Sequence, residues 1–401
     1  MSDMRRVVIT GTCRTPMAKS GPDSALRDFT AQDLLAHCFK NTLSRAAKDR
    51  NVLLDETIAG CVCQSSDAPN IARVAWLKAF PNGILVPGRT VQRNCASGIE
   101  AITSAAQAIK AGDANVILAG GAESMTRIPF LLRDMRGGRK YGHSKVVCAL
   151  EEGLTDPITG EIMWKTAENV AKDYDIGRSD QDIFAVESHK KAFKASREGK
   201  FRSQIEPLKN KKGEPVAQDQ GPNPAINAPM LAMYPTMHKI FEKKDIGTVT
   251  PGNACPTSDG GAACLVMSLD AAREYGIEPE AEVIAYDYSA CHPSYMGLGP
   301  VYAIPSALKR ANIAIDQVDW FEINEAFAAQ VLACQRELKI PMEKLNPWGG
   351  AIALGHPLGA TGMILTAKMV ALLKDTQKEY GMISMCVGGG QGGALLLKRW
   401  S

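Results

Sequence analysis

The sequence contains two similar β/α units, one in each half of the chain. NVILAGGAE (115–123) and GMISMCVGGGQGGALLL (381–397) both consist of apolar residues running into glycines, a pattern typical of buried strands. Each follows a helical segment that opens with small residues, CASGIEAI in the first half and LGATGMILTAKMVALL in the second. Aligning the units matches Gly98 with Gly362 and Gly120 with Gly388. This duplication predicts an α/β fold with helices between and outside two sheets.

The region between the two units has a different composition. Residues 126–249 are rich in Lys, Arg, Pro and Gly, with one helical segment, SDQDIFAVESHKKAFKASREG. Long insertions of this kind commonly serve binding. We therefore expect an N-terminal half (1–125, completed by 250–272), a loop domain over one end of the core (126–249), and a C-terminal half (273–401).

Composition narrows the class of protein. The 401 residues are 45% hydrophobic and 22% charged, as in soluble globular proteins, and a net charge of +3 is too small to indicate nucleic-acid binding. The eleven cysteines are scattered and odd in number, which favours reduced thiols and a cytoplasmic protein. The first residues enter a strand almost at once, which predicts no signal peptide, and no apolar run is long enough for a transmembrane segment.

Cys61 and Cys63, in TIAGCVCQ, come nearest to a metal-binding motif. The alternation there predicts that both side chains share one face of a strand. No second pair or nearby histidine completes a site, so we expect no bound metal.

Cys95 lies in RNCASGIEAI, where a short β-branched segment gives way to a helical pattern that ends near Gly112. A thiol at the start of a helix lies near unpaired backbone N–H groups and the positive end of the helix dipole, so it ionises more readily than a core thiol. The alternative is a small buried residue, which is what most free cysteines are.

Three further residues lie at the ends of predicted elements. Asn324 follows the strand-like DWFEI and precedes a helix, where an N-cap is the simpler interpretation. His356, in GHPLG, precedes a proline and is therefore held extended in a tight loop ahead of a helix. Cys386, in CVGGG, ends a buried strand and is followed by bare backbone N–H groups, which suit a developing negative oxygen.

The duplication predicts that Cys95 and Cys386 lie at the carboxyl ends of their units, the edge at which open α/β sheets bind ligands. In such a site one cysteine can act as the nucleophile and the other can move a proton. The histidine can take the proton of the nucleophile, and backbone amides with an asparagine can hold an oxyanion.

Together the motifs resemble the thiolase family of acetyl-CoA acyltransferases and acetoacetyl-CoA thiolases. RTPMAKSG, NCASGIEAI, GGAESM, TAENVA, GTVTPGNA, NEAFAAQ, GGAIALGHPLGATG and CVGGGQGGA occur in the order of the family over essentially the whole chain. The resemblance implies a five-layered, duplicated α/β core with an inserted loop domain. It also implies an acyltransferase that cleaves 3-oxoacyl-CoA with CoA in fatty-acid β-oxidation.

The resemblance further implies a role for each site residue. Cys95 would be the nucleophile that carries the acyl group as a thioester, and His356 would activate it and donate to the oxygen of the enolate. Asn324 would hold a water at that oxygen, and Cys386 would exchange a proton with the α-carbon of acetyl-CoA. The N–H groups of Cys95 and Gly388 would stabilise the tetrahedral intermediate.

The resemblance implies that Cys255 and Met163 contact the coenzyme, and the sequence departs from the family pattern at or beside each of them. Cys255, in GNACP, replaces a common serine, and Ile162, directly before Met163, stands where many acetoacetyl-specific members carry a histidine. We expect Ile162 and Trp164 to line the acyl channel and to favour longer substrates, with packing of Trp164 beneath the loop domain as the alternative.

The resemblance leaves two other functions open, a short-chain acetoacetyl-CoA thiolase and a non-catalytic thiolase-like binding protein. Ketoacyl synthases share the fold and the cysteine nucleophile but use two histidines, and Asn324 with Cys386 disfavours that class. Coenzyme A would be a co-substrate, with no permanently bound cofactor. The protein would be a homodimer or homotetramer, with membership of a fatty-acid oxidation complex as an alternative.

Overall fold

The protein is described here by a computed structural model that covers residues 5–48, 50–133 and 135–400. Its strands are β1 (Val7–Arg14), β2 (Ala18–Lys19), β3 (Glu56–Gly60), β4 (Gly88–Val91), β5 (Val116–Ser124), β6 (Phe130–Leu132), β7 (Val146–Cys148), β8 (Leu208–Lys209), β9 (Pro215–Val216), β10 (Ser258–Ser268), β11 (Ala281–Ala290), β12 (Trp320–Ile323), β13 (Tyr380–Val387) and β14 (Gln391–Arg399). Its α-helices are α1 (Ala31–Ala47), α2 (Ile71–Ala79), α3 (Ser97–Ala111), α4 (Ala149–Gly153), α5 (Met163–Asp173), α6 (Arg178–Arg197), α7 (Ala228–Ala232), α8 (Met237–Glu242), α9 (Leu269–Glu274), α10 (Gly299–Ala311), α11 (Ala328–Leu338), α12 (Ala351–Leu354) and α13 (Leu358–Thr376). Short 3₁₀ helices cover Met125–Arg127, Pro293–Leu298, Ile315–Gln317 and Met342–Lys344.

One mixed sheet of ten strands runs through the part of the chain that the structure describes. Its order is β12-β13-β14-β11-β1-β10-β5-β3-β4, with β2 paired to β10. β3 is parallel to β4 and β5, and β12 is parallel to β13, whereas the strands between them are antiparallel. We expected two separate sheets. The halves are instead joined edge to edge where Val8 of β1 pairs with Glu282 of β11 and Ile9 pairs with Ala281.

Helices lie between and outside the two halves of this sheet. α3 and α13 pack against each other in the middle, within the largest apolar cluster. α1 and α2 cover the outer face of the N-terminal half, and α10 and α11 cover the outer face of the C-terminal half. α13 is apolar on nearly all sides because it is enclosed, whereas α1 keeps a polar face toward solvent. The order helix–sheet–helix–sheet–helix is the predicted five-layered arrangement.

Two glycines allow α3 and α13 to cross closely. A Cβ on Gly98 would lie 2.6 Å from the backbone nitrogen of Met363, and a Cβ on Gly362 would meet the backbone of Ile99. Any side chain at either position would therefore push the helices apart. The two glycines that the sequence alignment matched thus face each other across the centre of the molecule.

The predicted correspondence between Gly120 and Gly388 is wrong. When the units are aligned at Gly98 and Gly362, Gly120 corresponds to Ser384 within β13, not to Gly388. Gly120 lies inside β5, where a Cβ would meet the side chains of Leu35 and Phe39 of α1. Gly388, by contrast, lies after the end of β13. Glycine runs at strand ends resemble one another in sequence, so the alignment slipped by a few residues.

The inserted region adds no strand to the large sheet among its described residues. β6–β7 and β8–β9 form two small antiparallel pairs, and the predicted helical segment forms α6. The chain then returns to the N-terminal half as β10, between β1 and β5. The domain boundaries at residues 125, 249 and 272 stay a prediction.

β3 ends earlier than the sequence suggested. Cys61 and Cys63 lie after Gly60, in a turn and not on one face of a strand. The backbone N–H groups of Val62 and Cys63 donate to the buried Glu123 carboxylate at 3.0 and 3.1 Å, which replaces the sheet partners they would otherwise need. No helix in the described part of the chain is long and apolar enough to cross a membrane.

Candidate active site

The four reactive side chains singled out in the sequence lie at one end of the core. Cys95 follows β4 and precedes the first turn of α3, and His356 immediately precedes Pro357 and α13. Asn324 follows β12 directly, and Cys386 is the last residue but one of the parallel neighbour β13. Since parallel strands end at the same edge of a sheet and the two helices cross near their first turns, the fold brings all four together.

Backbone groups surround the Cys95 thiol. Asn94 has φ = 43°, a left-handed conformation, and its Nδ2 donates to the carbonyl oxygen of Gly388 at 2.8 Å, across the two halves. Burial raises the pKa of Cys95 to about 11, while hydrogen bonds from the N–H groups of Gly388 and Cys95 lower it. Burial raises the pKa of the core thiol Cys61 further still. Cys95 is therefore easier to ionise than a core thiol, as its position predicted, but it is a neutral thiol at pH 7.

His356 is buried and its tautomer is fixed by a hydroxyl. Its Nδ1 lies 2.6 Å from Oγ1 of Thr361, and that hydroxyl donates to the carbonyl of Pro357 at 3.0 Å. Because a hydroxyl has one proton, Thr361 must accept from Nδ1–H, which leaves Nε2 without a proton. Burial lowers the pKa of His356 to about 4, so the ring is neutral at pH 7 and Nε2 is available as a base.

Asn324 points its amide at this histidine. Its Nδ2 lies 3.4 Å from Nε2 of His356, and because Nε2 is an acceptor, the amide nitrogen and not the oxygen must face the ring. α11 begins at Ala328 with Phe327 in the N-cap position, so the N-cap interpretation of Asn324 is wrong.

The carboxylate of Glu325, next to Asn324 in the sequence, fixes the loop after β12. Glu325 accepts hydrogen bonds from Oγ of Ser188 at 2.6 Å, from Nδ2 of Asn346 at 2.9 Å and from the backbone N–H of Ile352 at 3.2 Å. These buried bonds fix the backbone that carries Asn324. The rigid loop presents the asparagine side chain rather than allowing it to serve a helix end.

Cys386 has a different environment from Cys95. It is fully buried, in an apolar cluster with Trp164, Met296 and Phe327. Burial raises its pKa well above the ordinary value, and a thiolate at the neighbouring Cys95 would raise the pKa further. Such a thiol keeps its proton until a strong base, such as a carbanion, takes it.

The two coenzyme positions suggested by the sequence both lie near the nucleophile. Met163 is close to the turn after β13, since a Cβ on Gly388 would lie 3.4 Å from its sulfur. The backbone N–H of Cys255 donates to the carbonyl of Ala326 at 3.0 Å. Burial raises the pKa of Cys255 to about 12, and a thiolate at Cys95 contributes to this rise because the two thiols lie close together.

Trp164 does not line the acyl channel, contrary to our expectation. It is 5% exposed and packs between His238, at 4.7 Å between ring centroids, and Phe241, at 6.1 Å. α5 begins at Met163, and successive helical side chains point about 100° apart, so Met163 and Trp164 face different directions. The alternative, packing of Trp164 beneath the inserted region, is correct.

A cleft of about 260 Å³ opens onto Cys95 and Gly388. Its apolar lining comes largely from the inserted region and the starts of α5 and α13. These apolar residues are Val62, Leu154, Pro157, Ile158, Met163, Pro293 and Leu358. The arrangement can hold an extended apolar group with its reacting carbon at the Cys95 sulfur.

Three residues of the site were not recognised from the sequence. They are Asn94, which bonds to Gly388, Thr361, which orients His356, and Glu123, which accepts from the backbone N–H of Gly359 at 2.9 Å. Each lies inside a motif already quoted. Their partners, apart from His356, are more than 200 residues away in the chain, so no local pattern identifies them.

Comparison with known proteins decides the family. Residues 7–270 match the family model "Thiolase, N-terminal domain", and residues 277–399 match "Thiolase, C-terminal domain". The chain belongs to the thiolase family. This thiolase is 41% identical to a "Probable acetyl-CoA acyltransferase" of Staphylococcus epidermidis, over 99% of this chain and 100% of the relative.

Solved structures confirm the predicted fold class. Acetyl-CoA acetyltransferase of Bacillus anthracis superposes with a TM-score of 0.93 at 37% identity, covering 99% of both chains. Human mitochondrial 3-ketoacyl-CoA thiolase superposes with a TM-score of 0.94 at 37% identity, covering 99% of this chain and 100% of the human chain, and it has also been solved in complex with CoA. The prediction of an acyltransferase enzyme is likewise confirmed.

Proposed function

We propose that this thiolase cleaves 3-oxoacyl-CoA with CoA, giving acetyl-CoA and a shortened acyl-CoA, as in fatty-acid β-oxidation. The main support is the position of Cys95, which lies at the base of a largely apolar cleft with two backbone N–H groups directed at its sulfur. The human relative solved with CoA supports CoA as the co-substrate.

In the first step Cys95 attacks the 3-oxo carbon of the substrate, and its proton passes to Nε2 of His356. The carbonyl oxygen becomes an oxyanion, which accepts from the N–H groups of Cys95 and Gly388. These donors are fixed by the backbone before the reaction, so they stabilise the developing charge without reorganisation.

The bond between C2 and C3 then breaks. The acyl part stays on Cys95 as a thioester, and the electron pair moves to C2 and the thioester oxygen of the departing acetyl-CoA enolate. The protonated Nε2 of His356 and a water on Asn324 donate to the enolate oxygen. Cys386 gives its proton to C2, which completes acetyl-CoA and leaves Cys386 as a thiolate.

The second half of the reaction restores both thiols. The CoA thiol gives its proton to Cys386 and attacks the Cys95 thioester. As the shortened acyl-CoA forms, Cys95 leaves as a thiolate and takes back the proton from His356. Every proton is returned, so the cycle needs no redox partner.

We further propose that Met163, which lines the cleft, and Cys255, close to the nucleophile, contact the coenzyme. The enzyme would act as a homodimer or homotetramer in the cytoplasm, with association in a fatty-acid oxidation complex as an alternative. The likeness to the family supports these assignments.

A short-chain acetoacetyl-CoA thiolase is the second candidate. The 37% identity to the acetyl-CoA acetyltransferase of Bacillus anthracis equals that to the human 3-ketoacyl-CoA thiolase, so overall likeness favours neither. The packing of Trp164 away from the cleft removes one reason to expect long substrates. The apolar lining of the cleft remains the reason to favour them.

Thiolysis of four-, eight- and twelve-carbon 3-oxoacyl-CoA substrates separates the two candidates. Each buried methylene contributes up to about 0.8 kcal/mol, so kcat/KM should rise with chain length until the cleft is filled. Leu154→Ala, which removes part of the lining, should reduce this rise. Leu77→Ala, a half-buried leucine of α2, is the matched control and should leave it unchanged. A flat or falling series in the unaltered enzyme would favour the short-chain candidate.

A further inference from the structure

A small internal cavity lies beside the loop that carries His356. Its volume is about 20 Å³, and a cavity needs roughly 10–15 Å³ to hold a water molecule. The lining comes from distant parts of the chain, with Arg14 in β1, Gln204 in the inserted region, Asn324 after β12, and Thr361 and Lys368 in α13. The cavity is therefore large enough for one water and is enclosed by polar as well as apolar residues.

Asn324 contributes an acceptor without a partner. The side chain is 1% exposed, and its Nδ2 is committed toward Nε2 of His356, so Oδ1 faces the other way. Within the described residues, this oxygen has no hydrogen-bond partner. Buried polar atoms are seldom left unpaired, and an ordered water commonly supplies the missing bond.

Gln204 contributes the complementary donor. It is 1% exposed, and its Oε1 accepts from Nε of Arg14 at 2.7 Å. Arg14 cannot turn away, because its two terminal nitrogens donate to the two carboxylate oxygens of Asp219 at 2.7 and 2.8 Å. The amide of Gln204 is thereby fixed with Nε2 on its other side, and Nε2 has no partner among the described residues.

Lys368 supplies a third polar group to the same cavity. Its ammonium donates to Oε2 of Glu322 at 2.8 Å and to the carbonyl of Gly349, which uses two of its three N–H groups. A water with Gln204, Asn324 and Lys368 around it would have the two to four polar partners that buried waters need.

We propose that one water in this cavity accepts a hydrogen bond from Nε2 of Gln204 and donates one to Oδ1 of Asn324, and that Gln204 is thereby a positioning residue for Asn324. The cavity water keeps the amide nitrogen of Asn324 directed at His356 and at the second water, which donates to the enolate oxygen. Without the cavity water, the amide can rotate and present its oxygen to Nε2 of His356, and the second water loses its donor. The inference rests on the proposed role of Asn324 in holding the enolate.

The test compares the enolate step with the reactivity of the nucleophile. Gln204→Met should slow exchange of the α-protons of acetyl-CoA in heavy water by about tenfold or more, since a misplacement of about 1 Å can cost on the order of 10²-fold. Alkylation of Cys95 by iodoacetamide should proceed at the unaltered rate, because the amide does not contact the thiol. A merely structural role would slow both reactions or neither.

Gln330→Met is the matched control. Gln330 is also fully buried, and among the described residues its Oε1 has no partner and its Nε2 makes only a long contact, 3.9 Å, to the sulfur of Cys334. It does not belong to the cavity lining, so this variant should exchange α-protons at the unaltered rate. Equal exchange rates in Gln204→Met and Gln330→Met would overturn the inference.

A double-mutant cycle connects Gln204 to Asn324. If Gln204 acts only through Asn324, adding Gln204→Met to Asn324→Ala should slow exchange no further. If the double variant instead slowed exchange by the product of the two single effects, Gln204 and Asn324 would act independently, and the inference would be overturned. If Asn324→Ala alone exchanged at the unaltered rate, the proposed enolate role would fail first. If only Asn324→Ala slowed exchange, the enolate role would stand and the role of Gln204 would fail.

Two further measurements apply even if Gln204→Met does not fold. Ala351→Val adds two methyl groups to a residue of the lining and should expel the water with Gln204 intact, giving the same selective loss of exchange. A high-resolution crystal structure of the unaltered enzyme should show a water within hydrogen-bond distance of Gln204 Nε2 and Asn324 Oδ1. A dry cavity would overturn the inference.

Discussion

The two halves of this thiolase place a cysteine at the same end of the core but in different surroundings. Cys95 precedes a helix, opens onto a cleft and has two backbone N–H groups at its sulfur, whereas Cys386 lies within a strand and is enclosed by apolar side chains. Burial raises the pKa of Cys95 to about 11 and raises that of Cys386 well above its ordinary value. The two thiols do not occupy matching positions of the duplicated units, since Cys95 precedes α3 whereas Cys386 lies in β13. These different backbone settings suit Cys95 to attack on carbon and Cys386 to proton transfer.

The largest effect should come from removing Cys95, the member of the pair that lines the cleft. Cys95→Ala should abolish thiolysis and all covalent acyl labelling, because in the described part of the chain no other thiol meets both the cleft and the paired N–H groups. Mass spectrometry of the protein after incubation with an acyl-CoA donor measures this directly. Acyl label found on Cys386 in this variant would contradict the assignment of different roles to the two thiols, since they would then be interchangeable.

Removing the enclosed thiol should separate two reactions that Cys95→Ala stops together. Cys386→Ala should still accept an acyl group on Cys95 but should lose α-proton exchange of acetyl-CoA by roughly 10²- to 10⁴-fold, the usual contribution of a positioned acid or base. Acyl transfer is followed by mass spectrometry and exchange by NMR. Exchange at the unaltered rate would mean that Cys386 is not the proton carrier.

A smaller effect concerns His356, a residue of the C-terminal half that serves the thiol of the N-terminal half. Burial lowers its pKa from 6.5 to about 4, so the unfolded chain binds a proton in this range that the folded protein does not. Stability therefore falls as the pH drops from 6.5 toward 4. Replacing His356 by Gln should remove about 3 kcal/mol of this loss, measured by urea unfolding at pH 7 and pH 4.

His189 provides the control for this measurement. Burial also lowers its pKa to about 4, so His189→Gln should likewise reduce the loss of stability in acid. Only His356→Gln should also lose catalytic activity at pH 7. If His356→Gln and the unaltered enzyme lost the same free energy of unfolding between pH 7 and pH 4, His356 would bind its proton in the folded protein over this range as it does in the unfolded chain.

Local patterns predicted the parts of the site that depend on local geometry. The glycine and helical spacing around Cys95 placed it before α3, and the proline after His356 placed that residue extended ahead of α13. The apolar run before Cys386 placed it at the end of β13. In each case the residues that decide the conformation are neighbours in sequence, so the prediction needed no knowledge of the tertiary structure.

Such local patterns could not predict contacts between residues that are far apart in the sequence. The bond of Asn94 to Gly388, and the junction of β1 with β11, join segments hundreds of residues apart. The direction of Trp164 depends on a helix that starts one residue earlier, at Met163, and a shift of one position turns a helical side chain through about 100°. Sequence therefore identified the reacting groups better than the groups that orient them.

The close crossing at Gly98 and Gly362 has a consequence for the synthesis of the protein on the ribosome. The nucleophile is made early, but its partners Asn324, His356 and Gly388 come from the last part of the chain to emerge. A nascent N-terminal half carries the thiol without its base or its second N–H donor, so it cannot turn over substrate. Catalytic competence therefore requires the docking of α13 against α3, which brings His356 to the thiol, and a separation of the halves would remove this base from Cys95.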